Sequence, residues 1–150
     1  QIEMLFKALK KEFTYIIVDM SSNIDENSLK ILDCSDWILF TTIVNIPAIR
    51  NAQRCLNLFR SRRYPKDKVK IVVNRYMDND EIKIEDIENT LAEKVYWKIP
   101  NNYFTIMEAI NKGITISEAN PASNISNSFR DFASKVSDDI IEQSVLQYRV

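Results

Sequence analysis

The sequence predicts an α/β fold, a mostly parallel sheet with helices on both faces. Two short apolar runs, at residues 15–19 and 37–42, lack the alternation of a half-exposed strand and read as strands covered on both sides, and residues 69–74 and 95–99 read as two further strands. Segments with helical spacing of apolar residues lie between them. Strands alternating with helices over the whole length mean βαβ units, parallel strands and right-handed crossovers. The 150 residues are 45% hydrophobic, enough for one compact domain with a core, and no repeat, low-complexity tract or domain boundary is visible.

Ile2, Leu5, Phe6, Leu9 and Phe13 form the apolar stripe of a first amphipathic helix, with Lys7, Lys10, Lys11 and Glu12 outside it. Gln1 brings neither an initiating methionine nor a cap, so the chain is expected to start in mid-protein. Tyr15-Ile16-Ile17-Val18-Asp19 is the expected first strand. Asp25 or Asn23 can cap a helix over Glu26–Cys34 with Leu29, Ile31 and Leu32 inward. The second strand is 37–42. Asn45 and Pro47 then start a helix that runs to about Arg62, with Ile49, Ala52, Cys55, Leu56 and Phe59 as its core stripe. Tyr64-Pro65-Lys66-Asp67 breaks it before the third strand, 69–74. A charged loop leads to a helix near Ile84–Leu91, then the fourth strand, 95–99, ends at Pro100. A helix from Tyr103 stops at Gly113, a C-terminal glycine signal. Residues 114–121 read as irregular. A last helix from about Ser123 past Val136 places Ile125, Phe129, Phe132, Val136 and Ile140 on one face.

Composition removes several chemistries. There is no histidine, which excludes histidine bases and triads and most zinc sites. A single glycine, Gly113, excludes both a G-x-x-x-x-G-K-[ST] phosphate loop and a G-x-G-x-x-G fingerprint. Net charge is −1, so no global field draws the chain to nucleic acid. No run of about 18 apolar residues and no signal-peptide pattern occurs, so a membrane-spanning or secreted chain is not expected. Cys34 and Cys55 read as small apolar residues of a reducing, cytoplasmic compartment. Arg50, Arg54, Arg60, Arg62 and Arg63 read as a solvated helix face rather than a DNA surface. The final stretch from Ile140 to Arg149 lacks the lysine-rich polar face of an amphipathic membrane anchor and is expected to dock on the sheet. Trp37 and Trp97 read as core.

Five motifs stand in order: Tyr15-Ile16-Ile17-Val18-Asp19, Thr41-Thr42, Pro47-Ala48-Ile49-Arg50-Asn51-Ala52, Val72-Val73-Asn74-Arg75-Tyr76 and Ile99-Pro100-Asn101. The ordered set resembles the C-terminal part of ParA/MinD-type P-loop ATPases, with the pilus-assembly branch known as CpaE or TadZ as the nearest pattern. The resemblance implies that residues 1–150 are one domain, the C-terminal portion of such an ATPase, with the P-loop half absent. It implies ATP and magnesium as cofactors of the complete parent, a homodimer, and partners in a pilus or polar assembly. By position, Asp19 matches the aspartate that holds magnesium through a water, which suits a hard cation that keeps its waters. Asn74 matches the asparagine at the adenine edge, where an amide offers both donor and acceptor. Arg75 lies beside it, and Pro100 and Asn101 match the loop that closes over the base.

The chain departs from the pattern at Met20-Ser21-Ser22, where relatives often carry proline or glycine, and at Asn102, where many are acidic. The resemblance also places the P-loop strand between strands 15–19 and 37–42, so those two are not expected to pair. Hydrolysis needs P-loop groups absent from this sequence, and the chain alone is expected to be inactive. The alternative reading is a non-catalytic scaffold that keeps the fold for protein interaction. A receiver domain is set aside, since it needs an acidic pair after its first strand and a lysine after its fifth.

Overall fold

The computed structural model describes the backbone of residues 1–147 and the side chains of residues 1–142. Two compact units are present, one of Gln1–Ile38 with Pro65–Val69, the other of Leu39–Tyr64 with the chain from Lys70 onward.

In the first unit, α1 (Ile2–Glu12) buries Phe6, and α2 (Glu26–Cys34) buries Leu32. Asp25 caps α2 by accepting from the Ser28 amide at 2.7 Å. That bond, satisfying an otherwise unpaired first-turn donor, is also what holds the Asp25 carboxyl below its usual range. The Lys10 ammonium pairs with Asp36 at 3.0 Å, and Lys68 donates to the Asp33 carbonyl at 3.3 Å.

The run 15–19 does not form the strand its composition predicts. Ile17 is 94% exposed, and Tyr15 and Val18 are also open. A strand exists only when a neighbour takes its backbone donors and acceptors, and apolar content alone supplies no such neighbour. No strand pairs with this run among the described residues.

The sheet is parallel and three-stranded, in the order β1 (Ile38–Ile43), β2 (Val69–Tyr76), β3 (Val95–Pro100). α3 (Ile46–Ser61) connects the first pair and α4 (Ile84–Leu91) the second. The β2 side chains explain why both faces need helices: Ile71, Val72 and Val73 are 1%, 2% and 0% exposed, and successive strand residues face opposite sides. On one face Val72 packs with Ile99 and Ile125, extended by Trp97, Ile106, Ile116 and Phe132. α3 contributes Ile49, Ala52, Leu56 and Phe59 to the core, and α4 contributes Ile87 and Leu91.

α5 (Tyr103–Lys112) ends at Gly113 with φ 65°, the left-handed cap expected of it. Residues 114–121, expected as irregular, contain the short helix α6 (Ile116–Ala119). Its cause is a capping box: Glu118 accepts from the Thr115 amide at 2.8 Å, while the Thr115 hydroxyl accepts from the Glu118 amide at 3.2 Å. α7 (Asn124–Gln147) closes the chain order, packed against β3. The docking expected of Ile140–Arg149 falls mostly outside the described residues, since side chains are described only to residue 142 and backbone only to residue 147. No described helix is long and apolar enough to cross a membrane.

Candidate functional site at the ends of two parallel strands

The C-terminal ends of β2 and β3 converge. Tyr76 lies opposite Pro100 in the ladder, and the Asn101 amide donates to the Tyr76 carbonyl at 2.9 Å. Proline supplies no donor of its own, so the closing bond comes from the following residue. Asn74, Arg75, Pro100 and Asn101 are therefore brought to one end of the sheet, the end where open α/β sheets place their ligands. The Asn74 side-chain oxygen accepts from the Arg75 amide at 2.8 Å. Arg75 itself has φ 55°, the left-handed region, and its side chain is exposed. The Asn101 amide group donates to the Met77 sulfur at 3.5 Å. On the same strand ends, the Lys98 ammonium sits 4.8 Å from the centre of the Tyr76 ring.

Neighbouring residues hold this end in place rather than facing it. Asn102 caps α5, accepting from the Thr105 amide at 3.3 Å and donating to Asn124 at 3.0 Å. Asp80 accepts from the Met77 amide at 3.0 Å, and Lys83 ties down the Asp80 carbonyl at 2.7 Å. The sequence does not single out Tyr76, Met77 and Asn102 as site residues, because their contacts with this strand end depend on the ladder register and on the chain turns beside it.

Asp19 lies in the first unit, exposed, outside any strand, and its carboxylate takes no hydrogen bond or ion pair among the described residues. A carboxylate with both oxygens open suits a hard, hydrated cation, and no group of three potential ligands occurs among the described residues. A magnesium ion there would draw its remaining ligands from phosphate and water. A concavity of about 220 Å³ is lined by Ile84, Val95, Tyr96, Trp97 and Lys98, none of them an expected site residue. In the arginine cluster, Arg60 is committed to Glu93 at 2.9 Å and to the Leu91 carbonyl, and Arg62 to Tyr64. Trp97 stacks on Phe132 at 5.7 Å and donates to Ser128, as a structural tryptophan does.

No protein-family model matches the chain. Among curated proteins it is 26% identical over 140 residues to the septum site-determining protein MinD of Thermotoga maritima, covering 90% of this chain and 51% of that protein. It is 24% identical over 151 residues to MinD of Bacillus subtilis, covering 98% of this chain and 56% of that one. The chain is homologous to the MinD/ParA ATPases. It spans about half the length of the curated relatives it matches. Solved structures agree on the fold: a ParA family ATPase from Chlorobium tepidum at TM-score 0.82 and 24% identity, covering 88% of this chain and 55% of that one. MinD from Aquifex aeolicus follows at TM-score 0.77 and 22% identity, with 91% and 59% covered.

For a MinD/ParA homologue, the residues at hand divide by unit. The second unit holds the four residues expected at a nucleotide base, and the first holds the one expected at a metal. Chemically, the strand-end group offers a carboxamide fixed at one atom, a rigid proline turn and a cation, Arg75, with no side chain suited to proton transfer.

Proposed function

We propose that this chain is the base-binding portion of a ParA/MinD-like ATP-binding protein that uses ATP-dependent dimerisation to position a cellular machine. The observation that carries this reading is the Asn101–Tyr76 bond. It gathers Asn74, Arg75, Pro100 and Asn101 at the C-terminal end of a parallel sheet. Asn74 reads the base edge, Pro100 and Asn101 close over its face, and Arg75 flanks it. Asp19 holds magnesium through water. Groups that this sequence lacks would place the phosphates, so the chain alone binds weakly and does not hydrolyse ATP. The five ordered motifs favour the CpaE/TadZ branch, hence a cytoplasmic homodimer working in pilus assembly, polar localisation or partitioning, with protein partners rather than DNA. A MinC:MinD complex from Aquifex aeolicus is among the solved structures of this fold, which supports partner binding by such a scaffold.

The test is saturation-transfer NMR of ATP with the purified chain. Base-proton signals are expected, and Asn74→Ala should weaken them about tenfold, the worth of one buried hydrogen bond. Equal signals in wild type and variant would overturn the assignment. The second reading is a non-catalytic scaffold for protein interaction, favoured by Met20-Ser21-Ser22 and by the absence of a strand at 15–19. Under it, ATP gives no base signal at all.

A further inference from the structure

Two parts of this chain lack the same thing. Residues 15–19 have the composition of a strand with no strand beside them, and β1 is a strand with one neighbour among the described residues. From Tyr15 to Ser21 the chain makes no turn or bend. Ile16, Ile17, Val18 and Asp19 take no hydrogen bond, by main chain or side chain, among the described residues. Their backbone groups are left to water, available to any strand that can take them. The side chains meet water too: Ile17 is 94% exposed, Tyr15 49% and Val18 40%. β-branched and aromatic residues are the ones that fit a pleated, half-buried surface best.

β1 offers that surface. The sheet order sets only β2 beside it, so its other row of backbone groups has no strand partner among the described residues. Its six residues make an edge about 20 Å long, and a run of five needs about 17 Å. Neither segment contains proline, so no amide donor is missing from either. Neither contains a charge ahead of Asp19, so nothing repels one from the other.

We propose that residues 15–19 of one copy add as a fourth strand to β1 of a second copy. Each chain carries one run and one edge, so the exchange is reciprocal and closes as a two-fold dimer. The occupant is a second copy because the chain itself supplies both halves of the pairing, matched in length and uncharged on both sides. The main chain makes the contact, and ATP and magnesium have no part in it. The inference therefore stands or falls apart from the base-binding reading.

Neighbouring amides of a strand face opposite sides. Of Ile17→Pro and Val18→Pro, one removes a donor aimed at β1; the other puts proline on the outer rim, where edge strands accept it. Neither substitution breaks a hydrogen bond of the folded chain, so both variants should unfold close to wild type when dilute. Sedimentation velocity over a dilution series is expected to show monomer and dimer in wild type. The two proline variants should differ at least about tenfold in dimer dissociation constant. Ile17→Thr keeps the amide and a β-branched side chain, and should stay within about fivefold of wild type. Amide exchange should slow in residues 16–19 and in β1 together as concentration rises. Equal effects of the two prolines, or a loss in Ile17→Thr as large as in the weaker proline variant, would reduce the contact to apolar adhesion and overturn the strand. Slow exchange that ignores concentration would mean pairing within one chain and overturn the second copy. Species growing beyond the dimer would overturn its closure, and a monomer at every concentration would overturn the whole.

Discussion

At the residue scale, Tyr96 shows how one edge side chain couples charge to the fold. Between Ile71 opposite Val95 and Val72 opposite Trp97, the ladder skips Tyr96, which leaves it outside the register. Its hydroxyl donates to Asp139 on α7 at 2.7 Å, and Lys135 holds the same carboxylate at 3.1 Å. The Tyr96 hydroxyl, then Lys135, holds the Asp139 carboxyl below its usual range; burial, then Asp139, pushes the Tyr96 phenol well above its own. The signs follow. A lowered carboxyl contributes stability above the unfolded value, near 3.8, which is lost as pH falls through the folded one. A raised phenol contributes stability below 10, which is lost as pH rises past it. Tyr96→Phe should therefore cost about 1 kcal/mol near neutrality. Thermal unfolding across the pH range is expected to show that gap narrowing at both extremes. A gap of constant size would mean that the pair carries no ionic component.

At the element scale, two helix ends adopt the same left-handed backbone with different residues. Ala92 ends α4 at φ 54°, and Gly113 ends α5 at φ 65°. Glycine bears no steric cost there, and nothing lies within 4 Å of the position a Cβ on Gly113 would take. Ala92→Gly should stabilise, and Gly113→Ala destabilise, each by about 0.5–1 kcal/mol, measured by denaturant unfolding. Shifts of the same sign would show that packing, not backbone conformation, governs these ends. The contrast also marks what sequence reading can reach. Asn45 before Pro47, Asp25 before Ser28 and Gly113 after α5 are local signals, and the structure places caps at all three. The run 15–19 has the composition of a strand, yet pairing is decided by what lies beside it. Asn74 was readable as a candidate, but the atom it turns inward depends on a bulge set by β3, some twenty residues away.

At the scale of the whole molecule, the sheet ends in a strand that has no second strand neighbour among the described residues. β1 stands at one end of the strand order, so one row of its backbone groups has no strand partner among the described residues. Its sequence, Ile38-Leu39-Phe40-Thr41-Thr42-Ile43, contains no charge and no proline, and Leu39 is 41% exposed. Folded proteins usually blunt such edges with lysine, proline or a covering element; a bare one recruits another strand. The chain should therefore self-associate as its concentration rises, and by a route independent of nucleotide, because main-chain pairing at β1 uses none of the strand-end residues of β2 and β3. Thr41 is exposed on this strand, and Thr41→Pro places at the edge a residue that edge strands tolerate and that disfavours strand addition. Sedimentation velocity is expected to find concentration-dependent association in wild type and monomer in Thr41→Pro, unchanged by ATP and magnesium in either. Association that appears only with ATP would instead belong to the nucleotide-driven dimer, and would leave β1 with no part in it.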